Sequence, residues 1–108
     1  MRTPWRGMSG RRVTGAGPRD ASVVFLGEAP GANEEDLGRP FVGAAGSLLF
    51  DGVRGTAWRG LEALGLGRAS VRLENVIEVR PPDNDLTTVS LASMGKWRRE
   101  CRARLADL

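Results

Sequence analysis

Histidine is absent from the 108 residues, and cysteine occurs once, at Cys101. Without histidine the chain lacks the commonest general base near neutral pH and a frequent metal ligand. One thiol cannot close an internal disulfide or make up a four-cysteine metal site. Lysine is almost missing as well: Lys96 stands alone, so arginine carries the positive charge. Arginine suits bidentate phosphate contacts and stacking on bases. A GC-rich coding sequence produces the same bias, so composition leaves both readings open. No apolar run is long enough to span a bilayer, and the first residues hold no continuous hydrophobic signal core. A reducing, cytoplasmic setting is the expectation.

What is present fits one small domain with a modest core. Charged residues make up 27%, which argues against long disorder, and the 16 basic side chains exceed the 13 acidic ones by a formal +3. Residues 1–20 are rich in Arg, Gly, Thr and Pro without apolar periodicity, and are expected to form a basic flexible arm. Trp5, within it, either docks on the domain or is stranded. Residues 21–108 are expected to form the domain.

Ala21 to Leu26 reads as a buried strand. It empties into a Gly/Pro loop, Gly27 to Pro40, that carries a carboxylate, Glu28, and is followed by an aromatic, Phe41. Such a loop at a strand's carboxyl end is a common way to build a small-molecule or base pocket. The acidic cluster Glu34-Glu35-Asp36 reads mainly as a solvated loop tip. Small residues from Gly43 to Ser47 start a helix that runs through Leu49, and its exposed N–H groups would attract anions. Gly52 and Gly55 break it. A second helix is expected from about Ala57 to Leu64, with Trp58, Leu61 and Leu64 on one face. Val71 to Val79 is the second strand, ended by Pro81 and Pro82.

The last helix is expected to start at a Thr87 or Thr88 cap and to run to about Ala106. Leu91, Met94, Trp97, Cys101, Leu105 and Leu108 form its apolar stripe. Arg98, Arg99, Arg102 and Arg104 load its other faces, as a solvated surface or as a contact for DNA. The order strand, loop, helix, strand, loop, helix predicts an α/β fold: a right-handed parallel βαβ unit plus a trailing helix.

Three blocks stand in order along the chain: Gly27-Glu28-Ala29-Pro30-Gly31; Gly38-Arg39-Pro40-Phe41-Val42-Gly43-Ala44-Ala45-Gly46-Ser47-Leu48-Leu49; and Asn75-Val76-Ile77-Glu78-Val79-Arg80-Pro81-Pro82-Asp83-Asn84. From about Val23 to Cys101 the chain resembles the N-terminal half of the uracil-DNA glycosylase superfamily, above all its iron–sulfur-containing family four and phage-type relatives. The resemblance implies a truncated form of that family's three-layer α/β fold, with an insertion near Phe50 to Ala57. It also implies excision of uracil from DNA by hydrolysis of the N-glycosidic bond. The base must first leave the duplex. The transition state, a sugar cation with a departing uracil anion, asks for a negative group by the sugar and donors by the base oxygens.

By the same resemblance Glu28 is the catalytic, water-positioning acid. Phe41 stacks on the flipped base, unless it is a core residue. The Asn75 amide accepts from uracil N3–H and donates to O4, a polarity that cytosine reverses. Backbone N–H groups along Gly27, Glu28 and Ala29 approach uracil, those of Glu28 and Ala29 reaching O2, and Glu34 lies at the C5 edge. Gly43, Ser47 and Arg80 are the expected DNA contacts.

The departures from the family are as definite. Of the four cysteines that hold its cluster, only the last has a counterpart, Cys101. Val79 stands where the third would be, and no cysteine precedes Val23. No iron–sulfur cluster and no other metal is expected, and Cys101 reads as a packing residue. The family's later strands, histidine motif and DNA-wedging loop have no counterpart. A two-strand sheet would leave open edges. The expected protein is therefore an incomplete or impaired glycosylase, with a possible partner chain supplying the rest. A non-catalytic module gripping a base, and a fragment without a site of its own, are the alternatives.

Overall fold

In a computed structural model, which describes residues 11–108, the two apolar runs form two short strands that lie side by side. Strand β1 is Val24–Gly27 and strand β2 is Arg72–Asn75. They pair in parallel, with Val24 opposite Arg72 and Gly27 opposite Asn75. Both strands therefore leave the sheet at the same end. The pairing continues past the strands through Val76 N–H to the Gly27 carbonyl (2.9 Å) and Ile77 N–H to the Glu28 carbonyl (2.8 Å). Alternation along each strand sends successive side chains to opposite faces. Phe25 and Leu73 pack in a cluster with Phe50, Leu61 and Val71. Glu74, one step along β2, meets Arg104 of the last helix.

The chain has three α-helices among the described residues: α1 Ala32–Leu37, α2 Ala44–Asp51 and α3 Leu91–Ala106. Helix α2 brings Phe50 onto the first cluster. Helix α3 brings Trp97, fully buried, onto Ile77 and Val79 in a second cluster. The mixed α/β class and the parallel pair with a trailing helix are as expected. No helix among the described residues is long and apolar enough to cross a membrane.

Several details differ from expectation, each for a local reason. Helix α1 lies inside the stretch read as loop. Glu34 at its third position accepts from the Gly31 N–H (3.0 Å), and Gly38 at φ 71° ends the helix in the left-handed region. The expected helix Ala57–Leu64 shrinks to a single 3-10 turn, Glu62–Leu64. Gly60 sits at φ 86° against the Phe50 carbonyl, where no side chain fits, so the backbone is turned just where a helix would run. Trp58 instead hangs from α2, its indole N–H donating to the Leu48 carbonyl (2.7 Å).

Strand β2 stops at Asn75 rather than Val79. Helix α3 is capped by Ser90, whose hydroxyl accepts from Ser93 N–H (3.1 Å), and not by Thr87 or Thr88. Those threonines lie in a 3-10 turn, Leu86–Thr88, capped by Asp85. Leu91, counted in the apolar stripe, is 91% exposed.

The arm departs most. Trp5 lies outside the described residues. From Arg11 onward the segment is pinned: Val13 is buried and donates to the Glu78 carbonyl (2.7 Å), and Ala16 exchanges hydrogen bonds with Leu73 (3.0 and 2.8 Å). It lies antiparallel on the side of β2 away from β1, satisfying backbone groups that would otherwise be buried unpaired.

Candidate functional site

The register of the two strands decides the site. Gly27 and Asn75 are cross-strand partners at the carboxyl ends of β1 and β2, so the loops leaving both strands emerge at one mouth. Gly27 needs its lack of a side chain: a Cβ there would overlap Asn75 Oδ1 and lie 2.9 Å from Phe41 Cζ. The amide and the ring thus flank one backbone position. Around it opens a cavity of about 340 Å³ lined by Gly27, Glu28, Ala29, Gly31, Glu34, Phe41, Ala45 and Asn75.

Phe41 is held in an uncommon backbone conformation for a side-chain-bearing residue, φ 57°. Two contacts fix it. The Arg68 guanidinium donates to its carbonyl, and that carbonyl lies so close to Gly46 in α2 that a Cβ there would overlap it. The ring packs against the first core cluster and also borders the cavity.

Glu34 is built into the wall. One oxygen accepts from Gly31 N–H (3.0 Å); the other accepts from Val42 N–H (2.9 Å) and Gly43 N–H (2.6 Å). One carboxylate therefore ties α1, the Phe41 loop and the start of α2 together. It also occupies the N-terminus of α2. The Gly43 N–H is thereby spent on Glu34.

Glu28 is exposed, and among the described residues its carboxylate has no hydrogen-bond partner. The same holds for the Asn75 amide, although Asn75 is only 5% exposed. Beyond Glu28, a smaller depression of about 140 Å³ is lined by Glu28, Ala29, Pro30, Gly31, Pro81, Asn84 and Leu86. Ser47 is exposed on α2 outside the cavity. Arg80 is also outside it: its Nε donates to Asn84 Oδ1 (2.7 Å), and its Nη1 lies 3.9 Å from Glu35 Oε1.

Six of the expected residues, Gly27, Glu28, Ala29, Glu34, Phe41 and Asn75, thus share one cavity, while Gly43, Ser47 and Arg80 lie apart from it. Gly31 and Ala45 line it unforeseen; the small-residue run Gly43–Ser47 was the available signal for Ala45. A larger omission is a cluster of charges behind β2. Glu74 and Glu78 are buried, 1% and 2% exposed, and are met by Arg12, Arg72 and Arg104. Arg104, expected on a face that is either solvated or in contact with DNA, turns inward instead. Its Nη2 donates to the Asn75 carbonyl (2.6 Å), directly behind the cavity.

This pocket of small residues, acid, ring and amide opens at the carboxyl ends of two parallel strands in a mixed α/β protein. The chain belongs to the uracil DNA glycosylase superfamily, whose family model matches residues 14–107. It is similar to proteins named type-4 uracil-DNA glycosylase. That of Sulfurisphaera tokodaii is 49% identical over 72 residues, covering 67% of this chain and 30% of the relative. That of Pyrobaculum aerophilum is 46% identical over 72 residues, covering 67% and 33%. That of Thermotoga maritima is 42% identical over 76 residues, covering 70% and 35%. The chain spans about a third of the length of these curated relatives.

The residues do not fit the four-cysteine iron–sulfur cluster that family four implies. Cys101 is the only thiol in the 108 residues. Burial pushes it above its ordinary pKa, against the opposing pull of Arg104. Val79 is closed in an apolar cluster with Ile77 and Trp97. Among the described residues no group of three or more His, Cys, Asp or Glu side chains could hold a metal ion.

Proposed function

We propose that this chain forms the base-recognition part of a uracil-DNA glycosylase and acts on uracil in single-stranded DNA or flipped from a duplex. The observation that carries the reading is the shared cavity of Glu28, Phe41 and Asn75. Uracil stacks on Phe41; base–aromatic stacking contributes roughly 1–3 kcal/mol. Asn75 Oδ1 accepts from N3–H and its Nδ2 donates to O4. Backbone N–H groups of Glu28 and Ala29, which have no other partner among the described residues, donate to O2.

The Glu28 carboxylate faces the sugar and aligns a water. The C1′–N1 bond breaks, and its electron pair leaves on uracil. The water oxygen bonds to C1′, and the water's proton passes to Glu28 or to the departing base. Glu34 shapes the C5 edge as a fixed part of the wall. Ser47 and Arg80 meet the DNA backbone outside the cavity. With no histidine in the chain, help for the departing anion comes from the backbone donors or from a partner polypeptide. The setting is cytoplasmic.

Uracil release from single-stranded DNA, measured for the intact chain, Glu28→Ala and Asn75→Ala, tests the reading. Release is expected from the intact chain, and both variants are expected to lose about 5–150-fold, since each removes a buried or transition-state interaction worth about 1–3 kcal/mol. Equal product from all three removes the site. A second reading is base binding without turnover, in which the same cavity grips a base that is not cleaved. It predicts no product from any of the three, with uracil-DNA binding that Phe41→Ala abolishes.

A further inference from the structure

We propose that an ionic cross-link centred on Arg12 does in this chain the fastening for which a four-cysteine cluster would be used. By the resemblance two of the cluster's cysteines would fall at positions 79 and 101, and the fold brings the Arg12 segment to both neighbourhoods. Arg12 pairs antiparallel with Val79. Its guanidinium lies over the Trp97 ring of α3, 5.5 Å from the centroid. Its Nε meets Glu78 Oε1 at 2.7 Å, and its Nη2 meets Glu100, the residue before Cys101. One side chain thus joins the leading segment, the exit of β2 and the last helix.

A second tier supports the first. The other oxygen of Glu78 lies 3.5 Å from Arg104 Nε, which is 3.4 Å from Glu74 Oε1. Arg72 holds the other oxygen of Glu74 at 2.8 Å and donates to the Gly17 carbonyl at 2.8 Å. Two buried carboxylates demand this set of arginines, because removing one partner leaves a buried charge uncompensated. The ties also reach the cavity. Arg104 grips the Asn75 carbonyl, which makes it a positioning residue for the amide in front.

Two measurements test the cross-link. The full chain is produced with iron and a sulfide source supplied, purified without oxygen, and assayed for iron, for visible cluster absorbance and for melting with and without a chelator. Substoichiometric iron and a chelator-independent melting temperature are expected. Stoichiometric iron, or a chelator-sensitive melt, overturns the proposal. In parallel, Arg12→Met, Glu78→Gln and the double variant are melted. Each single change is expected to lower the melting temperature by about 4–8 °C, and the double by clearly less than the sum. Additive losses overturn it as well. If the variants do not fold, the iron and chelator results on the unaltered chain decide.

Discussion

At the scale of single residues, the site depends on one missing side chain. Gly27 leaves the space in which Asn75 and Phe41 meet. Gly27→Ala is expected to push both aside or to fill the mouth. Overpacking of this kind costs about 1–3 kcal/mol, and binding of a uracil-containing oligonucleotide, measured by fluorescence anisotropy, should fall with it.

Glu34 supplies the complementary case. Its three backbone hydrogen bonds are charge-assisted and half-buried. Glu34→Ala is expected to destabilise the fold by about 2–3 kcal/mol in urea denaturation, and Glu34→Gln by less, because the amide oxygen still accepts. Glu28 and Asn75 were legible in the sequence because they sit at fixed steps from strand ends and within ordered blocks. The bracing role of Glu34 was not. It depends on residues eight and nine positions away folding back onto one carboxylate.

At the scale of elements, α3 shows what a periodic pattern determines. Trp97 and Cys101 recur at helical spacing, and both are buried as that spacing demands. Leu91 shares the spacing but lies at the first position of α3, beyond the part of the helix that the second cluster covers, and stays exposed.

The buried thiol gives a test. Its raised pKa means the folded protein keeps the proton while the unfolded chain releases it near the ordinary value of about 9.0. Stability is therefore untouched by this group below that pH and is lost as pH rises above it. Thiol titration of the native protein at pH 8 with an aromatic disulfide reagent is expected to be slow, and to become fast only in denaturant. Rapid native reaction would place Cys101 at the surface. The glycine-ended turns are the counterpart. The sequence suggested a helix at Ala57–Leu64, but Gly60 is forced by contact with Phe50, a residue ten positions earlier that sequence spacing does not reveal.

At the scale of the molecule, the segment from Arg11 to Asp20 changes from an arm into part of the body. Hydrogen exchange reads this directly. Amides of Val13 and Ala16, bonded to Glu78 and Leu73, are expected to exchange as slowly as those of β2. Exchange at the rate of a free peptide would restore the arm. On the other side of the sheet, β1 has no further strand beside it among the described residues. Val24, Leu26, Leu48 and Trp58 are 39–50% exposed along that flank.

The sequence by itself determined the family, the two strands, the α2 and α3 helices and six of the eight cavity residues, because those depend on local periodicity, breakers and ordered motifs. Only the tertiary structure decided that Gly27 and Asn75 are opposite each other, that Glu34 braces three segments, and that arginines from both ends of the chain neutralise Glu74 and Glu78. Each of these is a contact between residues distant in sequence. A buried charge looks the same in a string of letters as a solvated one until its partner arrives in space.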